Sequence, residues 1–237
     1  MFYNPFFYYD PTYFLVLIGV VLSLLASAKV KNTFNKYSRV RNSRGLTGAQ
    51  VAEQVLHGAG IYDVRIEHVS GNLSDHYDPR SKVLRLSDSV YGQTSVAAAG
   101  VAAHECGHAI QHAHGYGPLQ FRNVLVPMAN FGSKIAWPLI LIGLLINRES
   151  SWYIMMAGVI AFSLAVLFQI VTLPVEFNAS GRAIKILEES GMMYGDELRG
   201  AKKVLSAAAM TYLAGAAASI LQLLRLLLLT GGRRRND

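Results

Sequence analysis

The chain has 237 residues, of which 52% are hydrophobic and 16% charged, with a formal net charge of +7 and a mean hydropathy of +0.29. That is too apolar for a disordered chain and well short of the roughly 25% charge of an ordinary soluble domain. The basic residues flank long apolar runs, which points to a lipid bilayer as partner and away from nucleic acid.

The first apolar run, Tyr13 to Ala28, follows the aromatic cluster Phe6, Phe7, Tyr8 and Tyr9. Its positive charge comes after the run, not before it, so residues 1–30 read as an uncleaved membrane anchor and not as a signal peptide. Lys29, Lys31, Lys36, Arg39, Arg41 and Arg44 follow with no acid among them, whereas residues 1–12 carry only Asp10. The positive-inside rule then puts the N-terminus outside and the stretch from Lys29 to about Asn123 in the cytoplasm. Region 31–123 carries ordinary globular signals. Thr47-Gly48-Ala49-Gln50 reads as a capping box, and Val51, Ala52, Val55 and Leu56 give the helix after it one apolar face, ended by Gly58 and Gly60. Tyr62 to Val69 alternates as a strand, with a turn at Ser70-Gly71-Asn72, and Lys82 to Ser87 is a second strand after the Asp78-Pro79 break. That second strand is either an edge that pairs with an extended substrate or an ordinary sheet edge. A further helix starts near Thr94 or Ser95 and runs to about His114, before Gly115.

Residues 124–175 read as a transmembrane hairpin. Its first arm, Val124 to Ile146, contains Lys134, which moves the start of the span toward Ile135; its second, Trp152 to Val175, has no charge. The connection is Asn147-Arg148-Glu149-Ser150-Ser151, and the chain re-enters the cytoplasm near Pro174. Residues 176–205 form the next helix, and 206–230 are a C-terminal transmembrane or core helix. The last apolar run, Val204 to Leu229, is rich in small residues that favour close packing but carries Arg225, and as a span it leaves Arg233, Arg234 and Arg235 outside, against the charge rule. Residues 231–237 are a basic tail. The expected fold class is a mostly α membrane protein, transmembrane helices with a small α+β domain.

The chemistry sits in His104-Glu105-Cys106-Gly107-His108, a complete HExxH. Two histidines at i and i+4 share one helix face and reach one metal ion, for which neutral imidazoles suit Zn2+. Glu105, rotated about 100° from His104, is close enough to act on a zinc-activated water without being a ligand. It takes the water's proton as the oxygen attacks a carbonyl carbon. The preceding stretch, Val96 to Ala103, is apolar, so three polar residues after it are costly unless they have a task. The third ligand is read as Glu176, a carboxylate placed directly after a charge-free span. His114 has the offset of the longer HExxHxxGxxH pattern, but Gln111 stands where that pattern turns on glycine; His112 stacks one turn too far along. Both are read as exposed or as partners that support the ligands. Arg182 is either an oxyanion holder or a membrane-surface charge. The lone cysteine, Cys106, excludes a disulfide framework and reads as a small core residue more readily than as a nucleophile.

With these motifs in view, the chain resembles the YugP-like neutral zinc metallopeptidases of bacterial membranes, themselves similar to the HtpX and CAAX-prenyl membrane peptidases. The resemblance covers nearly the whole chain: the anchor, the HECGHAIQH helix, the hydrophobic hairpin and the VEFNAS segment opening a helix. It implies a gluzincin site with His104, His108 and Glu176 as metal ligands and Glu105 as catalytic base. Where the better-known relatives have an aspartate four residues after the ligand glutamate, this chain has Ser180, which leaves Asn178 and Ser180 as alternatives for orienting a ligand. The expected activity is a multi-pass membrane zinc endopeptidase of the bacterial cell membrane, its site facing the cytoplasm, acting on membrane or membrane-associated polypeptides. The competing expectation is a non-catalytic membrane scaffold with a structural zinc, which needs a fourth protein ligand from His112 or His114.

Overall fold

A computed structural model describes residues 11–146 and 151–233. The aromatic cluster at 6–9, Asp10, the connection 147–150 and Arg234 and Arg235 of the basic tail lie outside the described residues. In chain order the elements are α1 (Tyr13–Tyr37), α2 (Gly48–Gly58), β1 (Arg65–Val69), β2 (His76–Asp78), β3 (Val83–Ser87), α3 (Val96–Ala113), α4 (Gly117–Leu145), α5 (Ser151–Glu189) and α6 (Gly195–Arg233). Helix dominates. Four helices, α1, α4, α5 and α6, are long and apolar enough to cross a membrane. The fold is thus a mostly α membrane protein with a small α+β part, as expected.

The chain divides into two compact units. The first holds residues 11–25, 125–170 and 214–233 of those described, nearly all of them in the four long helices. Its helices pack through small residues. A Cβ on Gly132 would meet the Ala161 carbonyl oxygen at 2.4 Å, and one on Gly158 the Ala136 carbonyl oxygen at 2.9 Å, so the backbones approach more closely than side chains would permit. Ile140, Val159 and Leu226 are buried together, while Leu24, Phe131, Leu141 and Ile160 face outward, the pattern of a bundle whose solvent is lipid. Arg225, the charge that made the last run ambiguous, lies with its guanidinium 4.1 Å from the centre of the Tyr13 ring. A cation stacked on a ring face is an affordable charge in an apolar setting.

The second unit, residues 26–124 and 171–213, contains the α+β part. Thr47 caps α2 with both halves of the capping box: its hydroxyl accepts from the Gln50 N–H at 3.2 Å, and the Gln50 side chain accepts from the Thr47 N–H at 2.9 Å. Losing such a cap costs about 1 kcal/mol. The apolar face it aligns, Val51, Ala52, Val55 and Leu56, is buried in one cluster with the alanines of α3, with Ala183 and Leu187 of α5, and with Ala201, Val204 and Leu205 of α6. The first turns of α6, Val204 and Leu205 included, are therefore core, and the same 39-residue helix is also long and apolar enough to cross a membrane.

The sheet has the order β1-β3-β2, with β1 parallel and β2 antiparallel to β3. This corrects the expectation for Lys82 to Ser87: β3 is the central strand, and it is neither a substrate-binding edge nor a plain edge. Val83, Leu84 and Leu86 are apolar on both faces, and such a strand belongs in the middle, while Arg65, Glu67 and His68 of β1 tolerate the edge. The strand at the other edge, β2, has three residues, too few for alternation to announce it.

One helix boundary also needs correcting. Pro174 does not end the third apolar run. α5 continues through it to Glu189, so Glu176 lies inside a 39-residue helix and does not open a new one. Proline removes one N–H donor and disturbs one turn, which apolar helices tolerate when neighbours fix the rest. Likewise α4 begins at Gly117, before the expected apolar run, and contains Pro127 and Pro138.

Candidate metal centre

Helix α3 starts where Ser95 accepts the Ala98 N–H at 3.1 Å, and its first two turns, Val96 to Ala103, are almost wholly buried small and apolar residues. The polar residues after them inherit a position deep in the unit. The side chains of His104 and His108 are 13% and 11% exposed, and their rings meet edge to face with centroids 4.8 Å apart. From α5, Glu176 comes to both: its Oε2 is 3.3 Å from His104 Nε2 and 3.5 Å from His108 Nε2. Arg122 of α4 approaches the other oxygen, Oε1, at 3.9 Å, and Tyr212 of α6 lies near the same carboxylate.

Glu176 Oε2 is buried and has no hydrogen-bond partner. A carboxylate oxygen left so, pointing between two imidazole nitrogens, is expensive unless a cation sits among the three. One ligand atom from each of His104, His108 and Glu176 lies within 4.8 Å of the others. Two nitrogens and one carboxylate oxygen form a donor set that zinc accepts while keeping a position open. The residues fit the ion.

The hydrogen bonds around the ligands set which nitrogen is free. Gln111, wholly buried, donates both amide hydrogens, to the Val175 carbonyl and to Asn178 Oδ1, each at 2.9 Å. Both partners are acceptors, so the amide has one orientation and its Oε1 must accept from His108 Nδ1, 3.1 Å away. The proton of neutral His108 is thereby placed on Nδ1, leaving the Nε2 lone pair toward Glu176. Arg182 Nε donates to the same Asn178 oxygen at 2.8 Å, and its guanidinium lies 5.9 Å from the centre of the Tyr116 ring. On the other ligand, Ser180 Oγ is 3.1 Å from His104 Nδ1. Burial pushes His108 down, but the close approach of Glu176 and the charges of Glu105 and Glu176 outweigh that and carry it up. Positive charge is thus favoured at the point where a metal would replace the proton.

Each expected residue can now be placed. His104, His108 and Glu176 are brought together, and Glu105, 8% exposed, stands beside His104 outside the cluster. Asn178 and Ser180, alternatives in the sequence, both orient ligands, one through Gln111 and one directly. Arg182 is engaged with Asn178 and Tyr116, so the surface-charge reading is corrected: its guanidinium is a brace for the His108 chain of bonds. His112 bonds the Tyr77 hydroxyl at 2.9 Å, and the exposed His114 bonds the Ile110 carbonyl at 3.0 Å. Burial, then the charges of Asp63 and Asp78, push Tyr77 up to about 12, so its hydroxyl keeps a proton for the His112 bond. Of the two alternatives for this pair, His114 takes the exposed one, and His112 is half-buried against Tyr77. Cys106 is buried, its thiol bonded to the Ala52 carbonyl at 3.5 Å and raised well above its ordinary value by burial and by the Glu105 charge. A thiol held neutral in this way is a core residue.

The sequence reading missed Gln111, Arg122, Tyr212 and Gly107. Gln111 had a signal: an amide three residues past the second histidine continues the ligand face into the core. Gly107 had one too. A Cβ there would be 2.7 Å from the Ala179 carbonyl oxygen and 3.1 Å from its Cα, so the bare backbone is what lets α5 lie against α3 beside the ligands.

A family described as "Putative neutral zinc metallopeptidase" matches residues 12–231. The chain is 47% identical over 224 residues, 94% of its length and 98% of the relative's, to the protein called "Putative membrane protease YugP" in Bacillus subtilis (strain 168). No solved structure matches it. A match along almost the full length, over the anchor, the histidine helix and the glutamate helix alike, means that this multi-pass membrane protein belongs to the neutral zinc metallopeptidase family.

Proposed function

We propose that the protein is a gluzincin-type endopeptidase that cuts membrane or membrane-associated polypeptides, with its site on the cytoplasmic side of the cell membrane. The observation that carries this is the buried, unpartnered Glu176 Oε2 between two imidazole nitrogens, with a second carboxylate, Glu105, adjacent and not used as a ligand. His104, His108 and Glu176 would hold zinc. When bound, the ion supplies Lewis acidity, which polarises a peptide carbonyl and acidifies water. Gln111 and Ser180 keep the two imidazoles turned toward the third ligand. Arg122 and Tyr212 engage the Glu176 carboxylate and fix its rotation. Glu105 takes a proton from the attacking water and passes it to the departing amide nitrogen, a transfer worth about 10²- to 10⁴-fold in rate. The basic run from Lys29 to Arg44 supports the cytoplasmic side, and the position of Glu176 in a helix continuous with the third apolar run favours substrates held near the bilayer.

The scaffold alternative gains nothing here. A closed zinc needs a fourth ligand, and His112 and His114 are bonded to Tyr77 and Ile110. Glu105→Gln tests the enzymatic reading. The amide keeps the size and removes the base, so the variant should bind zinc like the parent and lose hydrolysis of an unfolded protein by at least about 100-fold. Full hydrolysis by this variant would refute the assignment.

A further inference from the structure

Away from the metal centre, α1 and α6 face each other across a cavity of about 700 Å³ lined by Lys29, Asn32, Thr33 and Lys36 from one helix and Arg199, Lys202, Lys203 and Ser206 from the other, with Tyr37 and Ala207 as its apolar part. Both sets follow the same spacing, i, i+3, i+4, i+7. That is the stripe by which a helix packs on a neighbour, and it is ordinarily apolar. Here the two stripes carry five cations, and among the described residues no acidic side chain lines the cavity. Of the nearby acids, Asp196 pairs with Arg199 and offsets that one cation, while Glu197 is turned away, accepting from the Ser43 N–H at 2.8 Å and from its hydroxyl at 3.2 Å, so the four lysines keep their charge. The helices are nonetheless brought close at one point. The Tyr37 ring lies on bare backbone at Gly200, where a Cβ would come within 2.7 Å of it. Four lysine charges gathered around one concavity repel each other, and an anion in that concavity would relieve them.

The place narrows the anion. Lys29 directly follows the apolar run that ends at Ala28, and Ser206 and Ala207 lead into the apolar part of α6. A cation cluster where two spans reach the membrane surface is at the level of phospholipid headgroups. We infer that this cavity binds the phosphate headgroup of an anionic phospholipid, with lysines 29, 36, 202 and 203 on the phosphate and Tyr37 and Ala207 against the glycerol and first methylenes. The volume suits a headgroup, being within the range of small-molecule sites. The inference rests on the membrane position of α1 and α6 and is independent of the peptidase reading.

The test uses the full-length protein, delipidated in neutral detergent, and measures binding of phosphatidylglycerol, phosphatidylcholine and inorganic phosphate, with thermal melting and zinc content alongside. Phosphatidylglycerol should bind at least about tenfold more tightly than phosphatidylcholine, and K29Q/K202Q/K203Q should lose at least about tenfold of that affinity. Melting temperature and zinc content should not change. If the triple variant does not fold, K203Q, which alters one exposed side chain, should lose about fivefold by itself. Equal binding of the two lipids, or undiminished phosphatidylglycerol binding by the folded variants, would overturn the inference. Inorganic phosphate binding as tightly as the lipid would overturn the lipid assignment and make this a free-phosphate site.

Discussion

Gly107→Ala asks how closely α5 must approach α3 for the metal centre to exist. The added Cβ would stand 2.7 Å from the Ala179 carbonyl oxygen, 3.1 Å from its Cα and 3.2 Å from its carbonyl carbon. Ordinary contact begins near 3.5 Å, so α5 must retreat by about 0.5 to 0.8 Å, and no flexible side-chain end is there to give way instead. Overpacking of that size costs about 1–3 kcal/mol, and replacing glycine by alanine inside a helix returns about 1 kcal/mol. The fold therefore survives, with a loss of about 0–2 kcal/mol. The metal centre is less tolerant. Glu176 lies one turn before Ala179 on the same helix, and metal-ligand distances are held to about 0.2 Å. The expected result is a folded protein that binds zinc about 10- to 100-fold more weakly, the scale on which disturbed ligand support is felt. Gly181→Ala is the control: it lies on the same helix, and its Cβ meets nothing within 4 Å. Zinc titration against a competing chelator, with thermal melting, separates the two effects. Should Gly107→Ala bind zinc as tightly as Gly181→Ala, close helix approach is not what forms the site.

Two further outcomes follow from the ligand set and the topology. Glu176→Ala should lose more zinc affinity than the roughly 10- to 100-fold typical of a lost outer partner, while His114→Ala, whose ring bonds only the Ile110 carbonyl, should stay loaded; the reverse by metal analysis would move the third ligand to α3. Single cysteines at Ser38 and Ser150 in a Cys106→Ser background should differ toward an impermeant thiol reagent on whole cells, with Ser150 labelled and Ser38 protected; the opposite pattern would place the metal centre outside.

What the sequence made legible is what repeats locally. The capping box at Thr47 and Gln50, the face formed by Val51, Ala52, Val55 and Leu56, and the start of α3 at Ser95 each depend on residues within a turn of one another. The four apolar runs were legible for the same reason, since crossing a bilayer is a demand on each helix separately. Two histidines one turn apart also form a local pattern, and they identified the zinc helix without help from the rest of the chain. The errors occurred where a neighbour decides the outcome. The boundary drawn between Val175 and Glu176 is absent from the fold, because α5 runs through Pro174 to Glu189. Lys82 to Ser87 has apolar residues on both faces, but strand order is a property of the sheet, and its central place is fixed only when β1 and β2 flank it.

The supporting network shows most clearly why residue types alone fall short. Gln111 weighed in the sequence only as the absence of a glycine, an argument against a longer histidine motif. In the fold it is the hinge of the site, because its two donors end on Val175 and Asn178, 64 and 67 residues away. Those distant acceptors fix the amide, the amide fixes the proton of His108, and only then does Nε2 present a lone pair toward Glu176. Ser180 is parallel: read against an expected aspartate it looks like a loss, but a hydroxyl 3.1 Å from His104 Nδ1 does the orienting without adding a second buried carboxylate. A further negative charge beside Glu105 and Glu176 would have had to be balanced, and a serine avoids that cost. The departure from the relatives' pattern is therefore consistent with the same chemistry, carried by a neutral partner on one imidazole and a braced amide on the other.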